Sequence, residues 1–401
     1  AWARLNFRDA WDSSYARLII LKTLLTAVLV YFGYLHRKNI ARRLEIDWRG
    51  LSRLISVEVA LMGAIMAIGV WLSLIASPER IVEEKIPPAP TLANILWAYD
   101  ADVFFIGVLI LAVALYIKGV ATLKKRGDSW PVGRTVAFAL GISLIDFATS
   151  GGLGVYAKYS FEYHMMAHML LGMIAPIFLV LGAPMTLALR TLPQGRTPEE
   201  RGVRGSLLAA LHSKVGIFYT NPIVALLIFD GSLFGLYFTN LFADLMQSHI
   251  GHLIMNLHFL AAGFLFFFVI IGVDPNPRKI PHLVQMVVLF AAMSIHAFFS
   301  VALMSTTTLI DQGFYTSLQT PWLGDPLADQ KLGGSIGWAM GEIPILIALV
   351  ATFINWMRDD SREAKRIDRN TARQAAMGQP DDLANYNQYL QELSKRDRNE
   401  P

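Results

Sequence analysis

The sequence contains no cysteine among its 401 residues. Without thiols the chain has no disulfide framework, no thiolate metal site, no iron–sulfur cluster and no thiol nucleophile. A metal bound by this chain must therefore be held by nitrogen, oxygen or thioether sulfur.

Charged residues are scarce as well. They make up 16% of the chain, whereas hydrophobic residues make up 54%, and the mean hydropathy is +0.44. Soluble domains contain about 25% charged residues, so this composition indicates a polytopic membrane protein in contact with the lipid bilayer. The net charge of +4 comes from basic residues that lie in the predicted loops and does not indicate an anionic partner, so nucleic acid is not expected.

Long apolar stretches predict an all-α fold with about nine transmembrane helices. The predicted spans cover residues 14–35, 52–77, 94–118, 134–150, 161–188, 221–240, 247–272, 283–305 and 336–357.

The loops between these spans differ in their content of Lys and Arg. Most of the 35 basic residues lie after the first, third, fifth and seventh spans and in the tail from Arg358. Positive charge is retained on the cytoplasmic side of a membrane. We therefore expect a multi-pass protein of the bacterial plasma membrane with a cytoplasmic C-terminal tail.

Five of the nine histidines lie at a similar depth near the outer side of the predicted spans. His164 and His168 are in the fifth span, His249 and His252 in the seventh, and His296 in the eighth. Spacings of four and three residues place the members of each pair on one helix face. A titratable ring in hydrocarbon needs a partner or a metal. These five histidines are the predicted ligands of one outward-facing metal site.

Other polar and sulfur-containing side chains are expected to support these ligands. Asn256 continues the stripe of the seventh span, whereas His258 points about 120° away and is expected to hydrogen-bond to a neighbouring helix. Acidic side chains at the same level are expected to orient the imidazoles. The supporting or structural set is His258, Asn256, Asp102, Asp146, Glu342, Met169 and Met304.

The residue types favour copper, with Cu(I) as the expected oxidation state. Imidazole suits zinc, copper, iron and nickel, and the methionines near the histidines add a preference for Cu(I). Haem is an alternative, since two histidines on facing helices can bind iron from both sides. A polar network or proton path is another alternative. A hydrolytic zinc site is weaker because no HExxH motif occurs.

Several runs resemble the CtaG family of cytochrome c oxidase assembly factors, of the seven-helix membrane type. The resemblance covers about residues 94–370 and rests on WPVGRTVAFALG, TSGGLGVYAKYSFEYHMMAHMLLGMIAPIFLVLGAPMTLALR, SHIGHLIMNLHFLAAGFLFF, GVDP and DQKLGGSIGWAMGEIP. It implies a role in maturing the copper centre of a haem–copper oxidase. Matched to this chain, the histidines of the family fall on His164, His168, His249, His252, His258 and His296.

The first two predicted spans resemble the last two helices of the CopD family of copper-related membrane proteins. SYARLIILKTLLTAVLVYFGYLHRKN and LSRLISVEVALMGAIMAIGVWLSL carry this resemblance. It implies the C-terminal part of an actinobacterial CopD/CtaG fusion. The expected domains are residues 1–77, CopD-like; 94–357, CtaG-like; and 358–401, a cytoplasmic tail.

The expected function is that of an assembly factor, not an enzyme, that binds copper and aids maturation of the oxidase copper centre. Cytochrome c oxidase subunits and other copper chaperones are the expected partners. A b-type cytochrome or electron-transfer subunit, and a copper transporter, are the alternatives. In the tail, a stripe of Leu383, Tyr386, Leu390 and Leu393 is expected to pack on the cytoplasmic loops or on a partner.

Overall fold

Helices form nearly all of the regular structure. The computed structural model describes residues 14–41, 48–74, 86–195, 202–278, 280–377 and 382–399, and the only β feature in these ranges is an isolated bridge between Tyr99 and Gly151. The predicted all-α fold is confirmed. The chain divides into two compact units, Ala1–Ile86 and Pro87–Pro401.

The first unit contains two long helices, α1 (Ser14–Ala41) and α2 (Trp48–Leu74), which pack against each other. They are close at Gly69, where a Cβ atom would lie 3.3 Å from Nζ of Lys22. Many of their large apolar side chains are exposed, as expected of surfaces that face lipid.

The second unit contains the other helices. In chain order they are α3 (Leu92–Trp97), α4 (Val103–Lys125), α5 (Val132–Thr149), α6 (Gly152–Tyr156), α7 (Phe161–Met169), the first π segment (Leu170–Ile174), α8 (Ala175–Leu181), α9 (Pro184–Thr191), α10 (Gly202–Leu211), α11 (Lys214–Tyr219), α12 (Pro222–Leu226), the second π segment (Leu227–Gly231), α13 (Ser232–Tyr237), α14 (Leu241–Met246), α15 (His249–Ile271), α16 (His282–Ser305), α17 (Phe314–Ser317), α18 (Pro326–Ala376) and α19 (Asp382–Asn399).

Seven helices of the described chain are long and apolar enough to cross a membrane, which makes this a multi-pass membrane protein. They cover Arg17–Leu35, Val103–Lys125, Val132–Thr149, Phe161–Thr191, His249–Ile271, His282–Ser305 and Pro326–Arg373. The two other predicted spans fall on shorter apolar stretches, Ser56–Gly69 and Pro222–Tyr237. That these two also cross, and the inside–outside orientation, stay predictions.

The third predicted span begins later than expected. Residues 94–97 belong to the short helix α3, and the long helix α4 begins at Val103. Asp102 causes this start, because its Oδ1 accepts hydrogen bonds from the backbone N–H groups of Phe104 at 3.0 Å and Phe105 at 3.1 Å. Such N-capping satisfies donors that the first helical turn leaves unpaired.

The GAP motif at residues 182–184 interrupts the fifth span. α8 ends before Gly182, Ala183 takes a left-handed conformation with φ of 50°, and Pro184 begins α9. The carbonyl oxygen freed at Gly182 accepts a hydrogen bond of 2.9 Å from the hydroxyl of Tyr116. Because this carbonyl keeps a partner, the break does not leave it unsatisfied in an apolar environment.

Two glycines bring the first π segment and α15 into backbone contact. A Cβ atom at Gly263 of α15 would overlap the carbonyl oxygen of Gly172, and a Cβ at Gly172 would lie 3.4 Å from Cδ1 of Phe259. Small residues allow close approach of helices within membranes. This approach fixes the position of α7 relative to α15, and both helices carry predicted ligands.

The last span continues into the charged tail. α18 is 51 residues long and includes most of the stretch after Arg358, and α19 follows it. Tyr386, Leu390 and Leu393 of α19 are exposed, so the expectation that this stripe packs on the protein's own loops is wrong for these side chains, and the side chain of Leu383 lies outside the described residues. Docking on a partner stays a prediction.

We expect Gly263→Ala to lower the free energy of unfolding, because its methyl group meets a backbone carbonyl that cannot rotate away. Overpacking of this kind costs about 1–3 kcal/mol. Gly107→Ala in α4 is the matched control, since a Cβ there meets nothing within 4 Å. Thermal unfolding in detergent or nanodiscs measures both. Equal stability of the two variants would contradict the close approach.

Candidate metal centre

The helix that carries His164 and His168 begins at a cap supplied from far along the chain. Asp329 of α18 accepts hydrogen bonds from the hydroxyl of Ser160 at 2.7 Å and from the backbone N–H of Phe161 at 2.7 Å. Its carboxylate satisfies donors at the start of α7. The register of α7, and with it the direction of both imidazoles, is therefore tied to α18.

The helix that carries His252 begins at Ser248. The Ser248 hydroxyl oxygen accepts a hydrogen bond of 3.0 Å from the backbone N–H of Gly251. His252, Asn256, Phe259 and Gly263 then follow at intervals of three or four residues and form one stripe of α15. Because Gly263 contacts the first π segment, this stripe faces α7.

The two helices bring His164, His168 and His252 together. Each histidine offers one ring nitrogen, and these three nitrogens all lie within 4.8 Å of one another. The ring centroids of His164 and His168 are 4.0 Å apart, and that of His252 lies 5.6 Å from His164 and 6.3 Å from His168. Metal–nitrogen bonds are about 2.0–2.1 Å long, so nitrogens on one ion lie at most about 4.2 Å apart, and the three imidazoles would have to draw together to share an ion.

His168 is held by hydrogen bonds on both ring nitrogens. Its Nε2 donates to the side-chain oxygen of Asn256 at 3.1 Å, because an amide oxygen can only accept. Its Nδ1 therefore accepts the hydroxyl proton of Tyr237 at 2.9 Å. The amide nitrogen of Asn256 also lies 3.5 Å from Nδ1 of His252. Asn256 thus contacts two of the three imidazoles and orients them.

His164 differs from His168, because among the described residues neither of its ring nitrogens makes a hydrogen bond of good geometry, the backbone of Ala157 being only a weak polar contact. The side chain is 0% exposed. A buried polar group without a partner costs about 1–3 kcal/mol, so its presence calls for an explanation. Two lone-pair-bearing imidazoles lie next to it, and a shared metal ion would satisfy His164. The donor set of three neutral imidazole nitrogens fits a copper or zinc ion.

Aromatic side chains surround the cluster and keep it apolar. Phe259 stacks on His168 with ring centroids 4.1 Å apart, and Phe242 lies 5.1 Å from His164. Tyr315 of α17 lies 6.4 Å from His164 and donates a hydrogen bond of 3.2 Å to the carbonyl oxygen of Ala157. Burial raises the pKa of Tyr315 well above 10.0, so its hydroxyl remains a donor.

The structure does not bring His249 and His296 into this cluster, which corrects the expected set of five ligands. His249 is exposed at the first position of α15. His296 is buried on α16, and its Nε2 lies 3.2 Å from the carbonyl oxygen of Gly337. Equal depth in the membrane does not place residues together when their helix faces point in different directions.

Most of the expected supporting residues also lie elsewhere. Asp102 caps α4, Asp146 accepts a hydrogen bond of 3.1 Å from the hydroxyl of Tyr99, and Met304 accepts one of 3.1 Å from Ser335. Among the described residues Asp146 and Met304 make no hydrogen bond to an imidazole of the cluster, and Asp102 acts on His252 only through its charge, so the hydrogen-bonded support expected of these three is not seen. Their helix positions direct them to other neighbours.

His258, Met169 and Glu342 require the same correction. His258 is exposed and makes no hydrogen bond to another helix within the described chain. Met169 is buried, but it follows His168 directly and so points about 100° away around the helix. Glu342 has His296 and Asp230 as its electrostatic neighbours, not the three clustered histidines.

A residue that hydrogen-bonds to the cluster escaped prediction from the sequence, as did the aromatic side chains around it. Tyr237 is 1% exposed and hydrogen-bonds to His168 from the broken sixth span. A signal for it exists, since Tyr237 is the single tyrosine of residues 221–240 and lies near the outer end of that predicted span. Its hydroxyl would need a partner in an apolar environment.

Two models of known protein families match this chain. Residues 114–359, which carry all three clustered histidines, match the family model described as cytochrome c oxidase caa3 assembly factor. This chain belongs to the Caa3_CtaG family. Residues 1–72 match the family model for copper resistance protein D, CopD. The resemblances to both families are thereby confirmed.

Relatives of this Caa3_CtaG member occur in mycobacteria. An uncharacterized protein of Mycobacterium bovis and one of Mycobacterium tuberculosis are each 42% identical over 319 residues, and one of Mycobacterium leprae is 39% identical over 317 residues. Each match covers 78% of this chain and 47% of the relative, so the chain spans about half the length of these curated relatives. No solved structure matches the chain.

We expect His164→Leu to raise the thermal stability of the metal-free protein and His168→Leu to lower it. The first change removes two unpartnered nitrogens, whereas the second leaves Tyr237 and Asn256 without their partner. Each effect should be about 1–3 kcal/mol. Thermal unfolding in the presence of a chelator measures both. A His164→Leu variant as unstable as His168→Leu would contradict this account of the site.

Proposed function

We propose that this protein binds copper at His164, His168 and His252 and assists the maturation of a copper centre of cytochrome c oxidase. The observation that carries the proposal is the buried imidazole of His164, whose two nitrogens make no hydrogen bond of good geometry among the described residues and lie beside two further imidazoles. The family supports the assembly role, and the CopD match supports the relation to copper. Oxidase subunits and other copper chaperones are the proposed partners.

The surroundings of the cluster favour Cu(I) over a divalent ion. The penalty for moving an ion into an apolar medium rises with the square of its charge, and no carboxylate belongs to this group of ligands among the described residues. Three neutral imidazoles leave the full charge of the ion in place. An ion of single charge therefore costs the least free energy to bury there.

The route of the metal is proposed to pass His252. His252 is only partly buried, whereas His164 and His168 are 0% exposed. Lys158, His249 and Asp102 are the charged or titratable groups that act on His252, and they mark the end of the helices where the aqueous phase is near. A metal entering from this end would meet His252 first and the two buried imidazoles next.

A non-catalytic role is part of the proposal. The three clustered histidines would bind the ion, and Asn256 and Tyr237 would hold His168 in place, which is sufficient for storing and passing on a metal. On ligation His168 would give up one of its two hydrogen bonds. Binding that costs a hydrogen bond is reversible more easily, which suits a protein that releases its metal to a partner.

We expect the purified protein in nanodiscs to bind Cu(I) in competition with a chromophoric chelator. Replacing His164, His168 or His252 by Ala should lower the affinity at least tenfold, as loss of a ligand removes one metal–nitrogen bond. His212→Ala and His258→Ala are matched controls, since both side chains are exposed and outside the cluster. Equal loss of Cu(I) affinity in the controls would contradict the assignment of the three ligands. A Soret band in the spectrum of the purified protein would favour haem as the bound group instead of copper.

In a bacterium that lacks its own copy, we expect the His168→Ala and His252→Ala variants to reach the membrane but to restore little oxidase activity. Added copper should restore activity in part, because mass action offsets weaker binding. Oxidase turnover, copper content of the isolated oxidase and immunoblotting of the variant measure this. Full activity of both variants at low copper would refute the copper role, whereas the family assignment would stand.

A further inference from the structure

A second cluster of buried polar side chains lies apart from the three histidines. Asp230 of the second π segment and His296 of α16 are both 0% exposed, and Glu342 of α18 is partly buried beside them. Nδ1 of His296 lies 3.4 Å from Oδ1 of Asp230. Ionisable groups at this depth are costly and mark functional sites more often than structural ones.

The local backbone is arranged around this cluster. Asp230 lies in a π segment, and π segments inside helices occur frequently at functional sites. On the opposite side, a Cβ atom at Gly341 would overlap the imidazole of His296. The glycine therefore allows α18 to lie directly against the ring. Its neighbour one turn earlier, Gly337, supplies the carbonyl oxygen that contacts Nε2.

The contacts of His296 fix where its protons must be. The carbonyl oxygen of Gly337 can only accept, so the Nε2 atom at 3.2 Å carries a hydrogen. A neutral imidazole then has a lone pair on Nδ1, and this lone pair faces Asp230. An ionised carboxylate in that position would be repelled. One proton must therefore lie between them, either on Nδ1 with an ionised Asp230 or on a neutral Asp230.

Further atoms of this cluster have no hydrogen-bond partner among the residues that the structure describes. They are Oδ2 of Asp230, Oε1 of Glu342 and Oγ of Ser300, which lies one turn from His296 on the same face of α16. The charged or titratable neighbours of Glu342 are His296 and Asp230. The corresponding neighbour of Asp230 is His296. Among the described residues, no other titratable group is available to neutralise these two carboxyl groups.

We propose that Asp230, His296 and Glu342 form a proton-binding site within the membrane, distinct from the metal cluster. The proton held between Asp230 and His296 is the bound ligand. Glu342, which is partly exposed and has an unpartnered oxygen, exchanges that proton with the surroundings. Transfer moves one proton from the Asp230–His296 pair to the Glu342 carboxylate. Glu342 becomes neutral and the pair becomes more negative by one charge, so charge and atoms balance.

The test follows the protonation of the cluster in the full chain, reconstituted in nanodiscs. Infrared spectroscopy reports a neutral carboxylic acid, and solid-state NMR with ¹⁵N-labelled histidine reports an imidazolium. At neutral pH we expect the signal of a single buried acid or a single buried imidazolium, lost in Asp230→Asn. Asp244→Asn is the matched control, since Asp244 is exposed on α14 and should leave the signal unchanged.

Two results would overturn the proposal. One is the absence of any acid or imidazolium signal sensitive to Asp230→Asn in a protein that still melts cooperatively and retains Cu(I). The other is a metal ion whose binding is lost in Asp230→Asn but not in His164→Ala. If Asp230→Asn does not fold, Glu342→Gln serves instead. It should shift the pH midpoint of the buried proton signal, and an unchanged midpoint would refute the exchange role of Glu342.

Discussion

The close approach of the first π segment and α15 is the constraint on which the candidate site depends. His164, His168 and Gly172 lie on one stripe, and His252, Asn256, Phe259 and Gly263 lie on the stripe that faces it. With Gly263 against the carbonyl of Gly172, two helices meet at backbone distance. The larger side chains toward the other end of each stripe are thereby brought into contact, and these side chains are imidazoles and an amide.

The apolar surroundings of the cluster make an imidazole without a partner energetically costly. In an aqueous cleft, an imidazole without a protein partner is solvated and costs nothing, but among aromatic and aliphatic side chains it costs free energy. His168 avoids this cost through Tyr237 and Asn256, whereas His164 does not. The difference between two histidines one turn apart distinguishes a residue that is already satisfied from one that awaits a ligand.

Much of this could be predicted from the sequence, because hydropathy reports length and depth well. The helical class, most spans and the pairing of His164 with His168 follow from apolar runs and four-residue spacing. Rotation about the helix axis does not follow. Lipid-facing and core-facing positions are equally apolar, so nothing in the pattern of α16 shows that His296 turns toward Asp230. Asp102 was expected to orient an imidazole, but its carboxylate caps the start of α4 and acts on His252 only through its charge.

Gly337 of α18 lies between His296 of the second cluster and Met165, the residue that follows the proposed ligand His164. The carbonyl oxygen of Gly337 contacts His296, and a Cβ at Gly337 would lie 3.2 Å from Cγ of Met165, the residue after His164. Contacts this tight transmit small displacements because packed interiors have few voids. A movement of α7 on metal binding would therefore press on the peptide that fixes the tautomer of His296.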